Sequence, residues 1–203
     1  MTILYLGLDP SRYPRPVLHY PILKIVPKSV TVPDSFTHLL FTSRQAVLRW
    51  REIAPEPWPQ TLAIGEATAA LLRNPLIAPY ATQEGMIELL RTLDLRDAKI
   101  VWPRSAQARP LLEVFLRPFA HQILDLYDTE IEAPGPLPDL TQIEEIVFTS
   151  PSCVRGFIQL FGALPKDKRL TTIGPVTQAA LCQFITKAQN RHGPYGFRRN
   201  VLR

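Results

Sequence analysis

Residues 145–152, Glu-Ile-Val-Phe-Thr-Ser-Pro-Ser, decide how this chain folds, because they encode a strand, a tight turn and a helix start. Ile146, Val147 and Phe148 form a β-branched and aromatic run that is typical of a buried strand. Ser150 is a natural N-cap, Pro151 suits the first helical position, and apolar residues at helical spacing follow. Hydroxyls and free backbone N–H groups therefore meet at this turn, where a helix start favours anions.

The same pattern occurs earlier in the chain. Residues 39–47 match residues 146–154 position for position in residue type, and residues 63–71 match residues 172–180. The two motifs recur in the same order at offsets of 107 and 109 residues. This repetition indicates two similar α/β units, and its period is too long for a solenoid.

Strands that alternate with helices predict parallel sheets covered on both faces. We expect strands at 3–8, 22–26, 38–41, 61–64, 77–79, 99–102, 122–127, 129–131, 145–148 and 170–173. We expect helices at 44–53, 67–73, 83–93, 110–119, 151–161 and 176–187. The proline-crowded segment 9–21 is expected to be irregular, Asp128 to bend the late extended run, and Arg104 to lie in a loop after its strand.

Ligands on parallel sheets bind at the carboxyl ends of the strands. This rule selects two pairs of loops, which contain Thr42, Ser43, Gly65 and Thr68 in one unit and Thr149, Ser150, Ser152, Gly174 and Thr177 in the other. The hydroxyls have an alternative explanation as ordinary helix caps, and the glycines as residues of tight turns. Because these hydroxyls and glycines recur together with their flanking residues, we favour the interpretation that they bind a ligand. The hydroxyls of Thr68 and Thr177 lie one turn into their helices, where we expect them to face a ligand-binding cleft at these loops.

Two arginines and one tyrosine each have two interpretations, one as part of a binding or catalytic site and one as an ordinary structural or surface residue. Arg104 and Arg109 can pair with ligand carboxylates, or they can be surface arginines, which we favour for Arg109. Tyr127 is either half-buried packing or a phenol that donates a proton into a cleft.

Composition leaves several function classes open and gives others no support. The net charge of +5 is compatible with an anionic small molecule, with nucleic acid or with simple solubility; part of it lies in a predicted solvated tail with Arg198, Arg199 and Arg203. No signal peptide and no apolar run of about 18 residues is present, so we expect a cytoplasmic protein with no membrane partner. Cys153 and Cys182 fall in predicted helices and are expected to be buried free thiols rather than a disulfide.

Motifs of metal, redox and nucleotide chemistry are absent from the sequence. Its four histidines lack metal-ligand spacing. There is no Cys-x-x-Cys, no phosphate loop and no dinucleotide fingerprint, and no nucleophilic triad stands out.

Taken together, these motifs resemble uroporphyrinogen-III synthase over residues 36–184. The matching text is Phe41-Thr42-Ser43, Ile64-Gly65-x-x-Thr68, Gly85-Met86-Ile87, Arg104, Tyr127-Asp128-Thr129, Phe148-Thr149-Ser150-Pro151-Ser152 and Ile173-Gly174-Pro175-x-Thr177. The resemblance implies two similar parallel-sheet α/β domains joined by a two-stranded linker, with an active-site cleft between them. The domains would be 1–28 plus 132–203 and 34–123, and the linker strands 22–33 and 124–131.

The resemblance also implies a reaction and a set of roles. The linear tetrapyrrole hydroxymethylbilane closes to uroporphyrinogen III, with inversion of its last ring and loss of water, and no cofactor or metal is needed. Tyr127, by match to the Tyr-x-Thr motif, is the expected catalytic residue. Substrate binding falls to the loop residues named above together with Arg104 and Pro175. We expect a monomer.

The chain departs from the family pattern at both ends. Residues 7–10, Gly-Leu-Asp-Pro, stand where the family has Thr-Arg-Pro, and the helix that should follow is missing. This favours an alternative, a bilobed module that binds a polyanionic small molecule with reduced catalysis. A nucleic-acid-binding protein ranks third, because no clustered basic helix is present.

Overall fold

The computed structural model describes residues 2–11 and 13–191, with side chains described as far as residue 186. The predicted tail with Arg198, Arg199 and Arg203 lies outside the described residues. Contacts divide the chain into two compact units. We call Met1–Lys24 together with Ile131–Arg203 the first unit, and Ile25–Glu130 the second unit.

Ten strands and six α-helices make up the described part of the chain. The strands are β1 Ile3–Tyr5, β2 Leu18–His19, β3 Leu23–Pro27, β4 His38–Phe41, β5 Gln60–Ala63, β6 Leu76–Ile77, β7 Lys99–Ser105, β8 Ala120–Ile131, β9 Glu145–Phe148 and β10 Arg169–Thr172. The helices are α1 Arg44–Ile53, α2 Glu66–Ala69, α3 Gln83–Arg91, α4 Leu111–Leu116, α5 Pro151–Phe161 and α6 Pro175–Arg191, with a short 3₁₀ turn at Leu140–Gln142.

The strands form two sheets, and every pairing given for them here is parallel. The four-stranded sheet has the order β10-β9-β1-β2. The six-stranded sheet has the order β3-β8-β7-β4-β5-β6, with β8, β7, β4, β5 and β6 paired in parallel. The mixed α/β class with parallel sheets, predicted from the strand–helix alternation, is confirmed.

Alternate residues of the second unit's strands face opposite sides of its sheet, as the two-residue period of a strand requires. Leu40 and Trp102 pack on one side with residues of α3 and α4. Phe41 and Leu39, two residues before it, pack on the other side with Trp50 of α1. Both faces are therefore buried, which explains the unbroken apolar runs 39–41 of β4 and 100–102 of β7.

The first unit covers its two sheet faces in different ways. On one side, Ile146 and Phe148 are fully buried against Phe157 of α5 and Leu181 of α6. On the other side, Ile3, Tyr5 and Val147 are covered by Tyr13 and Val17, which belong to the proline-rich segment rather than to a helix. The proline-rich segment thus covers this face of the sheet.

Apart from shifts at the ends of several elements, four expectations differ from the structure. The helix predicted at 67–73 is the single turn α2, after which the N–H groups of Leu71 and Leu72 donate to carbonyls three residues back instead of four. The segment 9–21 is not wholly irregular, since Leu18 and His19 pair with β1.

The other two differences lie in neighbouring strands. The run 120–131 is one strand without a bend at Asp128, whose carboxylate accepts the N–H of Thr129 at 2.7 Å. Strand β7 continues through Arg104, where a loop was expected, and its register shifts between Arg104 and Ser105.

Candidate functional site

Two serine-capped turns repeat between the units in backbone and hydrogen bonding. Ser43 caps α1 with φ −161° and ψ 152°, and its Oγ accepts the N–H of Ala46 at 3.0 Å. Ser150 caps α5 with φ −156° and ψ 161°, and its Oγ accepts the N–H of Cys153 at 3.2 Å. Both residues are therefore helix caps, as the sequence predicts.

Each serine turn lies beside the glycine turn of the neighbouring strand. The N–H of Ile64 donates to the carbonyl of Phe41 at 2.9 Å, and the N–H of Ile173 donates to the carbonyl of Phe148 at the same distance. Strands β4 and β5 are parallel neighbours, as are β9 and β10. The carboxyl edge of each sheet therefore joins one serine turn to one glycine turn, within each unit separately.

A hydrogen-bonded group of side chains lies under the serine turn of the second unit. The hydroxyls of Ser43 and Tyr127 are 2.9 Å apart, and Trp102 Nε1 donates to Thr42 Oγ1 at 3.1 Å. Tyr127 is 5% exposed. Burial raises the pKa of its phenol above the ordinary value of 10, and the bond with Ser43 opposes part of that rise. The phenol is thus held neutral beside the helix cap.

Arg104 has carboxylate partners within its own unit. Its Nε donates to Asp125 at 2.9 Å and its Nη1 to Glu113 at 3.0 Å. The guanidinium also lies over the ring of Trp102, 4.7 Å from the centroid, and the side chain is 12% exposed. The charge of Arg104 is therefore balanced by carboxylates of its own unit. The interpretation of Arg104 as a residue that pairs with ligand carboxylates did not anticipate these partners.

Arg109 forms a two-pronged ion pair on the surface. Its two terminal nitrogens donate to the two carboxylate oxygens of Glu84 at 2.9 and 2.8 Å. These hydrogen bonds lower the pKa of Glu84 from 4.5 to about 2. The interpretation of Arg109 as a surface arginine agrees with this arrangement.

The serine turn of the first unit lies over a buried thiol instead of a phenol. Thr149 Oγ1 and Ser150 Oγ are 3.3 and 3.4 Å from the Sγ of Cys153. Ser152 Oγ accepts a hydrogen bond from Arg155 at 2.9 Å. The prediction of a buried free thiol is confirmed at Cys153, whereas Cys182 is free but exposed, so its predicted burial is wrong.

Gly7, which follows β1, packs against this turn, and its role was not predicted from the sequence. A Cβ built on Gly7 would lie 2.4 Å from Cγ2 of Thr149, so no larger residue fits without displacing that threonine. The carbonyl of Gly7 is 2.8 Å from His19 Nε2. The signal that could have identified Gly7 is its position at the end of β1, next to β9 in the sheet.

The two glycine turns need glycine for different reasons. Gly174 has a φ of +87°, in the left-handed region that favours glycine, and open space surrounds its missing Cβ. Gly65 has extended backbone, but a Cβ there would lie 2.9 Å from the Cβ of Ala81. Pro175, exposed, begins α6 directly after Gly174.

Thr68 and Thr177 correct an expectation. Each is 3% exposed and packs inside its own unit, whereas we expected hydroxyls that face an open site. Both side chains are therefore buried, one turn after the glycines.

A buried carboxylate that sequence reasoning overlooked lies at the opposite, amino end of β9. Glu145 is 1% exposed, and its Oε1 accepts hydrogen bonds from Thr171 at 2.7 Å, Arg15 at 2.9 Å and Tyr13 at 3.3 Å. Burial opposes ionisation, but the bonds from Thr171 and Arg15 outweigh it and lower the pKa of Glu145. This cluster anchors the proline-rich segment to the sheet.

Neither a metal cluster nor a membrane span stands out in the described part of the chain. Among residues 2–11 and 13–191, no three His, Cys, Asp or Glu residues are grouped so that they could hold a metal ion. No helix within these residues has the length and apolar character needed to cross a membrane.

Comparisons with known proteins give the family. No curated protein matches the chain significantly. The chain is similar in structure to a uroporphyrinogen-III synthetase from Helicobacter pylori, with 18% identity, 90% of this chain and 88% of that chain covered, and a TM-score of 0.65. It is also similar to a mutant uroporphyrinogen III synthase from Thermus thermophilus, with 17% identity, the same coverages and a TM-score of 0.56. At these identities the structures establish a common fold. A family model described as "Uroporphyrinogen-III synthase HemD" matches residues 14–189, and the chain therefore belongs to the uroporphyrinogen-III synthase family.

Proposed function

We propose that the turns at the carboxyl edges of both sheets bind hydroxymethylbilane during its cyclisation. Membership of the family gives the reaction, the closure of this linear tetrapyrrole to uroporphyrinogen III in porphyrin and heme biosynthesis. The observation that carries the proposal is the serine-capped helix start beside a glycine turn, present once in each unit.

The chemistry of the substrate suits these turns. Hydroxymethylbilane carries eight carboxylates, and the start of a helix offers unpaired backbone N–H groups and the positive end of its dipole. Helices α1, α5 and α6 are long enough to provide such ends. Since Arg104 is already paired with two carboxylates, we assign most of the binding to backbone N–H groups and to the hydroxyls of Thr42, Ser43, Thr149, Ser150 and Ser152.

Tyr127 is the proposed proton donor for the departing hydroxyl. Breaking the carbon–oxygen bond of the hydroxymethyl group sends the electron pair to oxygen, and a proton from the phenol turns the leaving group into water. A phenol is protonated at neutral pH, and burial raises the pKa of Tyr127 further above its ordinary value. The cation that remains, with its charge shared between the former hydroxymethyl carbon and the pyrrole ring, needs to be held in position more than it needs strong acid catalysis.

A coupled assay with hydroxymethylbilane tests the proposal. Tyr127→Phe is expected to lower kcat about tenfold, less than the roughly hundredfold or greater effect of a full general acid. Thr42→Val and Thr149→Val are each expected to raise KM, and their matched control is Thr92→Val, whose hydroxyl bonds the Leu89 carbonyl at the end of α3. Unchanged turnover in Tyr127→Phe would remove the catalytic assignment.

The identity of the product separates the enzyme from the alternative reading. Spontaneous closure without ring inversion gives the type I isomer, so a product that is only type I would favour a module that binds a polyanion with reduced catalysis. The departure of residues 7–10 from the family pattern motivates that alternative.

The arrangement of domains around the substrate stays a prediction that the resemblance implies. We propose domains 1–28 plus 132–203 and 34–123, linker strands 22–33 and 124–131, and one cleft that both sets of turns face. In support, the boundary between the units falls inside β3 and at the end of β8. If both edges bind one molecule, variants of either edge alone raise KM. A monomeric, cytoplasmic protein also stays a prediction.

A further inference from the structure

The hydroxyl of Ser43 takes part in two hydrogen bonds. Its oxygen accepts the N–H of Ala46 at 3.0 Å, and it lies 2.9 Å from the phenol oxygen of Tyr127. A serine hydroxyl has one proton and two lone pairs. The bond from Ala46 uses one lone pair, so the serine proton remains available for the phenol oxygen.

The phenol oxygen has few other choices of partner. Tyr127 is buried with Phe41, Trp50 and Leu126, whose side chains offer no acceptor to it. Among the described residues, Ser43 is its hydrogen-bond partner. Whichever hydroxyl donates within this pair, the other keeps its proton for the substrate.

We propose that Ser43 is a positioning residue that donates its hydroxyl proton to the oxygen of Tyr127 and so directs the phenol proton to the leaving hydroxyl of the substrate. The inference rests on the role proposed for Tyr127. It gives Ser43 a function distinct from binding a carboxylate, because Ser43 acts on the reaction through the phenol.

The hydrogen bond strengthens as the reaction proceeds. When the carbon–oxygen bond breaks and the phenol gives its proton to the departing oxygen, water leaves and Tyr127 becomes a phenolate. Ser43 then donates to an anion, and such charge-assisted bonds are about twice as strong as neutral ones. The ring carbon that forms the final bond of closure, as the nucleophile, then loses its proton, which restores the phenol. An interaction that grows with developing charge affects kcat more than KM.

The first unit provides a matched comparison. Ser150 caps α5 as Ser43 caps α1, but the atom beneath it is the Sγ of Cys153 rather than a phenol oxygen. Replacing either serine by alanine removes a cap of the same kind. Only the replacement of Ser43 also removes a partner of Tyr127.

Steady-state kinetics of single and double variants test the inference. We expect Ser43→Ala to lower kcat about tenfold, a larger effect than the rise in KM that follows from its place in the binding turn, and to cause no further loss of kcat in a Tyr127→Phe background. Ser43→Thr, which keeps a hydroxyl and a cap, is expected to recover most of the activity. Ser150→Ala is the control, and its effect is expected to multiply with that of Tyr127→Phe.

Absorbance titration near the tyrosinate band supplies a readout that a cap alone would not move. Ser43→Ala is expected to raise the pKa of Tyr127, because the bond with Ser43 lowers it, while Ser150→Ala leaves it unchanged. Thermal unfolding of both alanine variants checks that the two cap losses are comparable.

Three outcomes would overturn the inference. Multiplying effects of Ser43→Ala and Tyr127→Phe would reject it while leaving Tyr127 as the proton donor. A Ser43→Thr variant no more active than Ser43→Ala would reject it in the same way. Full activity of Tyr127→Phe would remove the inference and the proposed role of Tyr127 together.

Discussion

Replacing Glu145 by glutamine tests whether a buried carboxylate holds the proline-rich segment on the first unit. The charged Oε1 accepts from Thr171, Arg15 and Tyr13, and the last two belong to that segment. Glutamine has nearly the same shape and keeps one acceptor oxygen, but it carries no charge. The substitution therefore removes the charge-assisted part of the cluster without opening a cavity.

The expected loss follows from the contacts. A hydrogen bond to a charged group contributes about 1.5–3 kcal/mol, whereas a neutral one contributes about 1 kcal/mol. Arg15 is 41% exposed, so solvent screens its share and Thr171 carries most of the difference. We expect Glu145→Gln to lower the free energy of unfolding by about 2 kcal/mol at neutral pH. In a chain of this length that loss lowers the Tm by about 4–8 °C.

The pH dependence has a definite sign. Hydrogen bonding lowers the pKa of Glu145 in the folded protein below its ordinary value of 4.5. Its stabilisation is therefore present above pH 4.5 and is lost as the pH falls through the folded value. The gap between wild type and Glu145→Gln should be constant from about pH 6 to 8 and should shrink below about pH 4.5.

Thermal unfolding followed by circular dichroism at a series of pH values measures this gap. Glu130→Gln, which removes the same charge from an exposed position, is the control and is expected to leave the Tm unchanged. A gap that stays constant down to pH 3, or no gap at pH 7, would refute the reasoning.

Three further predictions concern single residues. Gly174→Ala should lower the free energy of unfolding by about 1–2 kcal/mol in denaturant titrations, because φ is positive there, whereas Gly135→Ala, with open space and no positive φ, should be near neutral. An unaffected Gly174→Ala would contradict the backbone argument. Arg109→Ala should raise the pKa of Glu84 from about 2 toward 4.5 in an NMR titration; an unmoved pKa would exclude Arg109 as its cause. Arg104→Lys should lower the Tm while changing KM little, because its guanidinium bonds carboxylates of its own unit; a large rise in KM at constant Tm would instead assign it to the substrate.

Elements with local signals could be predicted to the residue. Strand β4 with helix α1, and strand β9 with helix α5, begin and end where the caps and apolar runs place them. A serine that directly follows a buried strand predicts the start of a helix, because its Oγ can accept the N–H of the residue three positions later. Helix α2 ended earlier than its apolar pattern predicted, since the N–H groups of Leu71 and Leu72 donate to carbonyls three residues back instead of four.

The contacts of the candidate site depend on strand order, which local patterns do not encode. Tyr127 and Ser43 are 84 residues apart in sequence, and they meet because β7 lies between β8 and β4 in the sheet. The ion pair of Arg104 with Asp125 likewise requires that β7 and β8 be neighbours. Residue type and spacing could therefore nominate these side chains but could not tell which of them were already paired.

The sheet order of the first unit has a consequence for synthesis of the chain. Strand β1 pairs with β9 on one side and with β2 on the other, and the whole second unit is encoded between β2 and β9. On the ribosome, residues 25–130 can therefore complete their own core while Ile3, Leu4 and Tyr5 still lack the neighbour that buries them. Until β9 emerges, this short apolar strand is an exposed target for a chaperone, and translation speed through the second unit sets how long that exposure lasts.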